Sequence, residues 1–585
     1  MTARDLLNNY EEVIIADAEY QQPRGENPLP ICMCAHELFS GKDYTVWFEG
    51  QPYPPCPYDL GEKSLFVTYN AIAEESVHIV AGWSQPANTL DLLAEFRLLV
   101  NDARYFGQRS LISAAEHYGL SNADQNYKDR MQAICMRGPP FTQEEKDNIL
   151  KYCHSDVSLT TNLLNRMIDK EDIFFNPSET HFALLRGQYT SSLAHVEHRG
   201  IPLDKPLIDR FKANWPEIFH LFIDKVNPAY NVYENYKFRR VKFLDYVTRE
   251  GINWKLTKTG LPSLDDDYFR AMATIYPQLQ ELRQLVILQN KLKIRDLPAD
   301  TAGRNRTSSM PFRSKTGRNQ PRASENIFGA SAMMRNAIVA REGCAFAALD
   351  FAQEEYRIAG VLSGDLDMQR AYETGDYYIN LAIMVGAAPA GATKKSHPEV
   401  REQFKQIALA TNYGQTPHGF AKRAGITVDQ AEYLFKQIKR TFPTYWIWIE
   451  NHTDKGMLEE ETSTCFGWRM GTPRQKYNTI MNFPMQAHGA AILHLAVCNL
   501  VRADLPVCGT LHDAVFLEDR IENIEAIVAE ATEIMVDASG QVLSGPTIRV
   551  DAKIYPYPEH YYDPRSAGWD KLLAALGEVE REKIK

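Results

Sequence analysis

Short continuous apolar runs recur near both ends of this chain, and long stretches of helical periodicity lie between them. In the first 175 residues the runs Val13 to Ala16, Ser64 to Thr68 and His78 to Ala81 alternate with helical patterns, which predicts an α/β domain. A polar break at Asn176-Pro177-Ser178 precedes a new helical segment and marks the expected domain boundary. Residues 205–300 read as mostly helical. An apolar run returns at Cys344 to Leu349, helical patterns fill roughly 366–460, and strand-like runs follow near 463–470, 507–517 and 548–554. The simplest architecture for that order is a helical insertion between two parts of one sheet. A length of 585 residues exceeds what one core organises, so two or more domains are expected.

The strand-like runs deliver acids. Cys344 to Leu349 leads into Asp350-Phe351-Ala352-Gln353-Glu354-Glu355-Tyr356-Arg357, a buried strand that carries a carboxylate to its end and turns into a helix. Asp513 sits between the runs Val507 to Leu511 and Ala514 to Leu517. Two strand-borne acids that meet on one sheet can hold a pair of metal ions about 3.5–4 Å apart, activating an attacking oxygen and stabilising a leaving one. That is the requirement of metal-dependent phosphoryl transfer.

Ser396-His397-Pro398-Glu399 predicts a helix start, with a capping box and Pro in the first turn. Beyond it Arg401, Lys405, Leu409 and Tyr413 follow at steps of four. Each step drifts about 40° around a helix, so the four share one broad face spanning about 18 Å. The cations lie toward the positive end of the helix dipole, where a triphosphate would bind, and Tyr413 lies before Gly414 at the far end, where a base could stack. An amphipathic helix with exposed basic residues is the plain alternative. The company of Asp350 and Asp513 decides against it.

The net charge of −11 argues mildly against nonspecific polyanion binding, but it averages over local patches. From Arg304 to Arg322 the chain carries Arg304, Arg306, Arg313, Lys315, Arg318 and Arg322 with no acid among them, the composition of a loop that contacts a phosphate backbone. Nine scattered cysteines suit a reducing compartment, and Cys32 and Cys34 have no matching pair at zinc-ligand spacing, which points to a structural role. Neither a leader peptide nor a membrane span is expected, because no basic-plus-apolar opening and no run of about 18 apolar residues occurs.

The motifs together resemble those of family A DNA polymerases. The run at Asp350 is similar to motif A (D-Y-S-Q-x-E-L-R), and Arg401, Lys405, Tyr413 and Gly414 match motif B (R-x3-K-x7-Y-G). His512-Asp513 matches the H-D of motif C, and Asn482-Phe483-Pro484-Met485-Gln486 resembles the N-x-P-M-Q template-side helix. The resemblance covers roughly 180–585 and implies a right hand. Thumb would fall at about 205–300, palm at about 301–365 and 461–585, and fingers at about 366–460, within a polymerase domain of 176–585.

By that resemblance Asp350 and Asp513 would hold two Mg²⁺ ions, with Mn²⁺ as an alternative, and Arg401 and Lys405 the incoming triphosphate. Tyr413 would occupy the template-base position, Glu355 would crowd the sugar 2′ position, and Gln353 and Arg357 also match. His512 would contact the primer terminus, Asn482 and Gln486 the minor-groove edge, and Arg318 the primer, with Arg306 competing for that role. Departures are Ala514 where the family has Glu, leaving two palm carboxylates, and Leu409 where Phe or Tyr is usual. Asn478 stands in place of a template-contacting Arg, and Tyr378 near the place of a His. These bear on dideoxynucleotide discrimination, affinity and fidelity.

Upstream, Asp17 and Glu19 in Val13-Ile14-Ile15-Ala16-Asp17-Ala18-Glu19 point to one face of a strand and can share a metal. Asn70 to Glu74 resembles N-x3-D with Glu substituted, and Tyr152 with Asp156 fits Y-x3-D on one helix face. In this order, ahead of a polymerase, they resemble the DEDDy 3′–5′ proofreading exonucleases. That implies an RNase H-like domain at 1–175 in which Asp17, Glu19, Glu74 and Asp156 bind two metals and Tyr152 orients the attacking water.

The expected protein is thus an α/β and α+β multidomain DNA polymerase of phage type with proofreading, working on primer-template DNA and dNTPs in the cytoplasm of a bacterium or a phage-infected cell. No membrane partner is expected, monomer is the default, and accessory replication proteins are not specified. A pure exonuclease with a DNA-gripping C-terminal part is countered by Asp350, Asp513, Arg401 and Lys405, and a noncatalytic DNA-binding protein by the paired carboxylates of both domains. Glu355 disfavours a single-subunit RNA polymerase.

Overall fold

The computed structural model describes residues 7–120, 125–170, 179–291, 297–329, 332–424, 426–564, 566 and 568–584. The expected boundary at Asn176-Pro177-Ser178 lies outside the described residues. In the N-terminal part β1 (Glu12–Gln21), β2 (Leu29–Glu37), β3 (Asp43–Trp47), β4 (Ser64–Thr68) and β5 (Thr89–Asp91) form one sheet in the order β3-β2-β1-β4-β5. β1 is antiparallel to β2 and parallel to β4. Val13 and Ile15 pack on one face of the sheet, Ile14 and Ala16 on the other, so β1 reads as an unbroken apolar run.

The longer helices of this part are α1 (Ala71–Ala81), α2 (Leu92–Leu99), α3 (Gln125–Arg137) and α4 (Gln143–Asp169), with a short helix Leu111–His117 between α2 and α3. The run His78 to Ala81, expected as a strand, is the last turn of α1. A short apolar run carries no period long enough to separate the two states, and here Ala71, Ile72, Glu74, Glu75, Val77 and His78 form one buried helical stripe. Next, α5 (Thr180–Arg199) joins the two halves: it packs on α1 and, further on, against the second sheet. Arg186 of α5 donates Nε to Glu95 Oε1 at 2.6 Å and Nη2 to Oε2 at 2.8 Å, a buried two-pronged pair with α2.

Helices α6 (Lys205–Tyr230), α7 (Arg240–Arg249), α8 (Asp266–Ile275) and α9 (Gln280–Lys291) follow, the last three gathered with the end of α6 around Phe243, Trp254, Phe269 and Leu282. The second sheet is wholly antiparallel, with β6 (Cys344–Phe351), β7 (Val507–Leu511), β8 (Ala514–Arg520) and β9 (Val550–Pro556) in the order β7-β8-β6-β9. Between β6 and β7 the chain inserts α10 (Glu354–Ser363), α11 (Tyr377–Met384), α12 (Pro398–Asn412), α13 (Val428–Thr441), α14 (Pro443–Leu458) and α15 (Tyr477–Arg502).

The runs near 463–470 stay out of this sheet. They form a separate two-stranded hairpin, Glu461–Ser463 with Arg469–Gly471, whose outer strand bonds to Asn101 of the N-terminal part. Among the described residues, no helix is long and apolar enough to cross a membrane.

Candidate active sites

β7 and β8 are joined by a two-residue hairpin turn in which Leu511 faces Ala514 and His512 takes a φ of 56°. The turn presents Asp513 at the sheet's edge. Ala514 is also the register partner of Asp350, so the two carboxylates meet although 163 residues of sequence part them. They line a cavity of about 480 Å³ together with Arg401, Lys405, Leu409 and Tyr413. Burial and the neighbouring Asp513 push the Asp350 carboxyl up to about 7, and burial raises Asp513.

The sequence reading counted two palm carboxylates; the same cavity is lined also by Glu355 and by two acids to which that reading gave no role, Glu354 and Asp551. Asp551 of β9 lies opposite Asp350 in register. Glu354 is buried, its Oε1 has no hydrogen-bond partner, and it packs on Gly489 of α15, where a Cβ would stand 2.5 Å from Glu354 Oε2. An acid in the first turn of a helix, beside Glu355, gave no signal of this in the sequence; Asp551 would have needed the strand register.

The helix face is held from behind. Arg401 Nε donates to Asp376 Oδ2 at 2.8 Å, and its guanidinium lies 5.3 Å over the Tyr378 ring. Gln353, at the strand-to-helix corner with a φ of 56°, donates to the same carboxylate and accepts from the Tyr377 amide at 3.0 Å. Tyr413 donates its hydroxyl to both oxygens of Glu355, at 3.0 and 2.9 Å. Asn478 donates to the Gly414 carbonyl at 2.9 Å, and a Cβ on Gly414 (φ 65°) would lie 2.6 Å from Asn478 Oδ1, so this corner requires glycine. The expected capping box is absent: α12 begins at Pro398 with His397 as its N-cap, because the Ser396 hydroxyl is engaged by Thr393 and His397. Arg357 is structural, pairing with Glu373 and the Thr547 carbonyl.

Arg318 and His512 line both this cavity and an adjoining one of about 340 Å³. Arg306 also lines the second cavity, ion-paired to Asp300 and donating to the His198 carbonyl. The basic stretch is therefore not one solvated loop. Arg304 is buried against Glu518 of β8, and the run from Arg313 onward carries the exposed cations Arg313, Lys315 and Arg322. Asn482 and Gln486 lie one turn apart on α15, half-buried, outside both cavities.

In the N-terminal part β4 pairs with β1 only as far as Ile15, so Asp17 and Glu19 run past it into the open. They face α4, which supplies Tyr152 and Asp156, and a cavity of about 500 Å³ is lined by all four and by Glu74 of α1. Carboxylate oxygens of Asp17, Glu19 and Asp156 lie within 4.8 Å of one another; Glu74 shares the cavity without joining that group. Lys128 of α3, which the sequence reading missed, donates to Asp156 Oδ2 at 3.1 Å. Asp17 Oδ2 and Glu74 Oε2 are buried with no hydrogen-bond partner. Mutually repelling buried carboxylates with unpartnered oxygens are the donor set of a hard divalent cation, so the residues present fit such an ion.

Burial pushes Glu19 and Glu74 up to about 8 from an ordinary value of 4.5. The folded chain then holds protons that the unfolded chain has released, so this contribution to stability is full below about pH 4.5 and is lost as pH rises toward about 8. In chelator the Tm is expected to fall across that window, and saturating Mg²⁺ to oppose the fall. A Tm in chelator that climbs from about pH 5 to about pH 8 would contradict this assignment.

Residues 232–554, more than half of the chain, match the family model for DNA polymerase family A. The chain is 26% identical over 416 residues to the thermostable DNA polymerase I of Thermus aquaticus, covering 64% of this chain and 48% of that one. It is 24% identical to DNA polymerase I of Aquifex aeolicus, covering 68% and 73%. Against the DNA polymerase of Escherichia phage T5 it is 29% identical, covering 43% and 32%. The chain spans about half the length of the Thermus relatives it matches.

Its fold is similar to the POL domain of Pol1 from M. smegmatis, solved in complex with DNA primer-template and dNTP, with a TM-score of 0.70 and 18% identity over 94% of this chain and 97% of that one. The fold is thus that of a polymerase, a mixed α/β multidomain architecture. The chain belongs to DNA polymerase family A.

Proposed function

We propose that this chain is a template-directed DNA polymerase that extends a primer 3′ end with dNTPs and carries a 3′–5′ proofreading exonuclease in its N-terminal domain. The observation that carries the first half is the meeting of Asp350 and Asp513 beneath a helix face bearing Arg401 and Lys405. The second half rests on the carboxylate group of Asp17, Glu19 and Asp156 beside Tyr152. The second sheet serves as palm, the helices α11 to α14 as fingers and α6 to α9 as thumb, with the N-terminal sheet domain reading as RNase H-like.

Divalent cations, Mg²⁺ or Mn²⁺ and two to a site, would be held by Asp350 and Asp513 in the palm and by Asp17, Glu19, Glu74 and Asp156 upstream; when bound they activate the attacking oxygen and neutralise charge on the phosphate. Arg401 and Lys405 hold the triphosphate as fixed cations, and Asp376 keeps the guanidinium aimed. Tyr413 gives up its hydrogen bond to Glu355 when a base pair takes its place. Glu355 then lies against the sugar, and Leu409 packs beside it. His512 and Arg318 contact the primer end, Asn482 and Gln486 the duplex edge, and Tyr152 orients water for excision.

Extension of a labelled primer by all four dNTPs with Mg²⁺, with and without template, tests the reading. Template-dependent lengthening supports it, and shortening without any lengthening would leave an exonuclease on a retired polymerase fold. Glu355→Ala is expected to raise ribonucleotide incorporation by about ten- to a hundred-fold, because it opens the space at the 2′ position. An unchanged ribose-to-deoxyribose ratio in single-nucleotide insertion would remove that role from Glu355.

A further inference from the structure

Cys32 and Cys34 have no partner pair nearby in the sequence, and the fold brings one to them. Two apart on β2, they point to the same face of the first sheet, and α4 lays Cys153 over that face. The Sγ atoms of Cys32, Cys34 and Cys153 lie within 4.8 Å of one another, and all three side chains are wholly buried. Thiolates around a tetrahedral zinc, with Zn–S of about 2.3 Å, stand about 3.8 Å apart, so the group would close on such an ion by a shift of about 1 Å or less. None of the three is tied up in a disulfide.

These sulfurs do not behave as inert packing atoms. Hydrogen bonds from Cys153 and Cys32 hold the Cys34 thiol well below its ordinary value, while burial pushes Cys32 and Cys153 up. The group is thus one thiolate cradled by two thiols, and a divalent cation would take the place of the two protons. His154 follows Cys153 on α4. Its Nε2 meets Thr45 Oγ1 at 2.8 Å, and Thr45 of β3 is the register partner of Cys34. The imidazole therefore stands beside Cys34, one strand away, and its charge also lowers the Cys34 thiol. Three cysteines and one histidine are a donor set of closed structural zinc sites, and thiolates do not suit Mg²⁺, which takes oxygen ligands.

We propose that Cys32, Cys34, Cys153 and His154 form a structural site for a thiophilic divalent cation of the zinc class, separate from the carboxylate group beside it. The site staples α4 to β2. On the helix Tyr152 directly precedes the ligands and Asp156 lies one turn beyond Cys153; on the sheet Cys34 and Cys32 are the register partners of Asp17 and Glu19. Holding helix to strand therefore fixes the spacing of those four side chains. The cation binds whether or not their cavity excises nucleotides.

The test frees the full chain of metal by dialysis against chelator under reducing conditions and titrates it with Co²⁺ as a spectroscopic stand-in for zinc. One equivalent is expected to give an intense near-ultraviolet sulfur-to-cobalt band that Zn²⁺ abolishes and excess Mg²⁺ does not. Cys153→Ser and His154→Ala are each expected to weaken Co²⁺ binding by about tenfold or more. Asp17→Ala, which alters the carboxylate group, should leave the band in place. A Co²⁺ complex without that band, or a band lost in Asp17→Ala and kept in Cys153→Ser, would overturn the proposal. Since serine replaces a wholly buried sulfur, a second measurement uses the unmutated chain: Zn²⁺ in excess Mg²⁺ is expected to slow alkylation of Cys32, Cys34 and Cys153 by about tenfold or more, read peptide by peptide in a mass spectrometer, and to leave the exposed Cys465 unaffected. Equal alkylation rates with and without Zn²⁺ would overturn it equally.

Discussion

Replacing Asp513 by Asn is expected to lower template-directed primer extension by about 10³-fold or more, through kcat rather than the dNTP KM. The substitution keeps the shape of a side chain set at the tip of a two-residue hairpin and removes its charge. Cation affinity at the palm then falls, because one of a pair of converging carboxylates is gone. Arg401 stays fixed by Asp376 and Lys405 remains on the same helix face, so the triphosphate is still held. Primer shortening, which we propose to depend on the separate group Asp17, Glu19 and Asp156, should be unchanged. Single-turnover extension and shortening of one labelled primer read both numbers. A loss of extension of less than about tenfold would mean that Asp513 does not carry the chemistry of the palm.

The residues that make this prediction possible were legible because their spacing is local. Asp350 closes an apolar run, Asp513 sits in the gap between two such runs, and the cations of α12 repeat every four residues. What stayed hidden depends on register and on partners far along the chain. Asp551 joins the cavity of Asp350 and Asp513 only because β9 pairs with β6 on the side away from β8. Asp376, the N-cap of α11, and Lys128, on α3, belong to no motif of their own, and each gains its part in a site only through the functional side chain it touches. Arg304 looked like part of a basic loop until Glu518, 214 residues later, was placed against it. The misjudged start of α12 has a different cause: Ser396 carries the right hydroxyl, but a neighbouring Thr393 competes for it, and propensity says nothing of that competition.

Asp17→Ala is the converse experiment, and its expected effect is as large: primer shortening falls by about 10³-fold or more while extension is retained. It has a second readout that does not depend on activity. Asp17 is half-buried, its Oδ2 is buried without a partner, and its carboxyl is raised by burial first and then by Asp156, Glu19 and Glu74. Without a cation that group is a source of repulsion, so removing it should raise the Tm measured in chelator at about pH 8. With saturating Mg²⁺ the order should reverse, because the wild type gains binding free energy that the variant has lost. A variant that is less stable than wild type in chelator would show that Asp17 is an ordinary structural acid. A variant that shortens primers as fast as wild type would move the excision chemistry away from the end of β1 altogether.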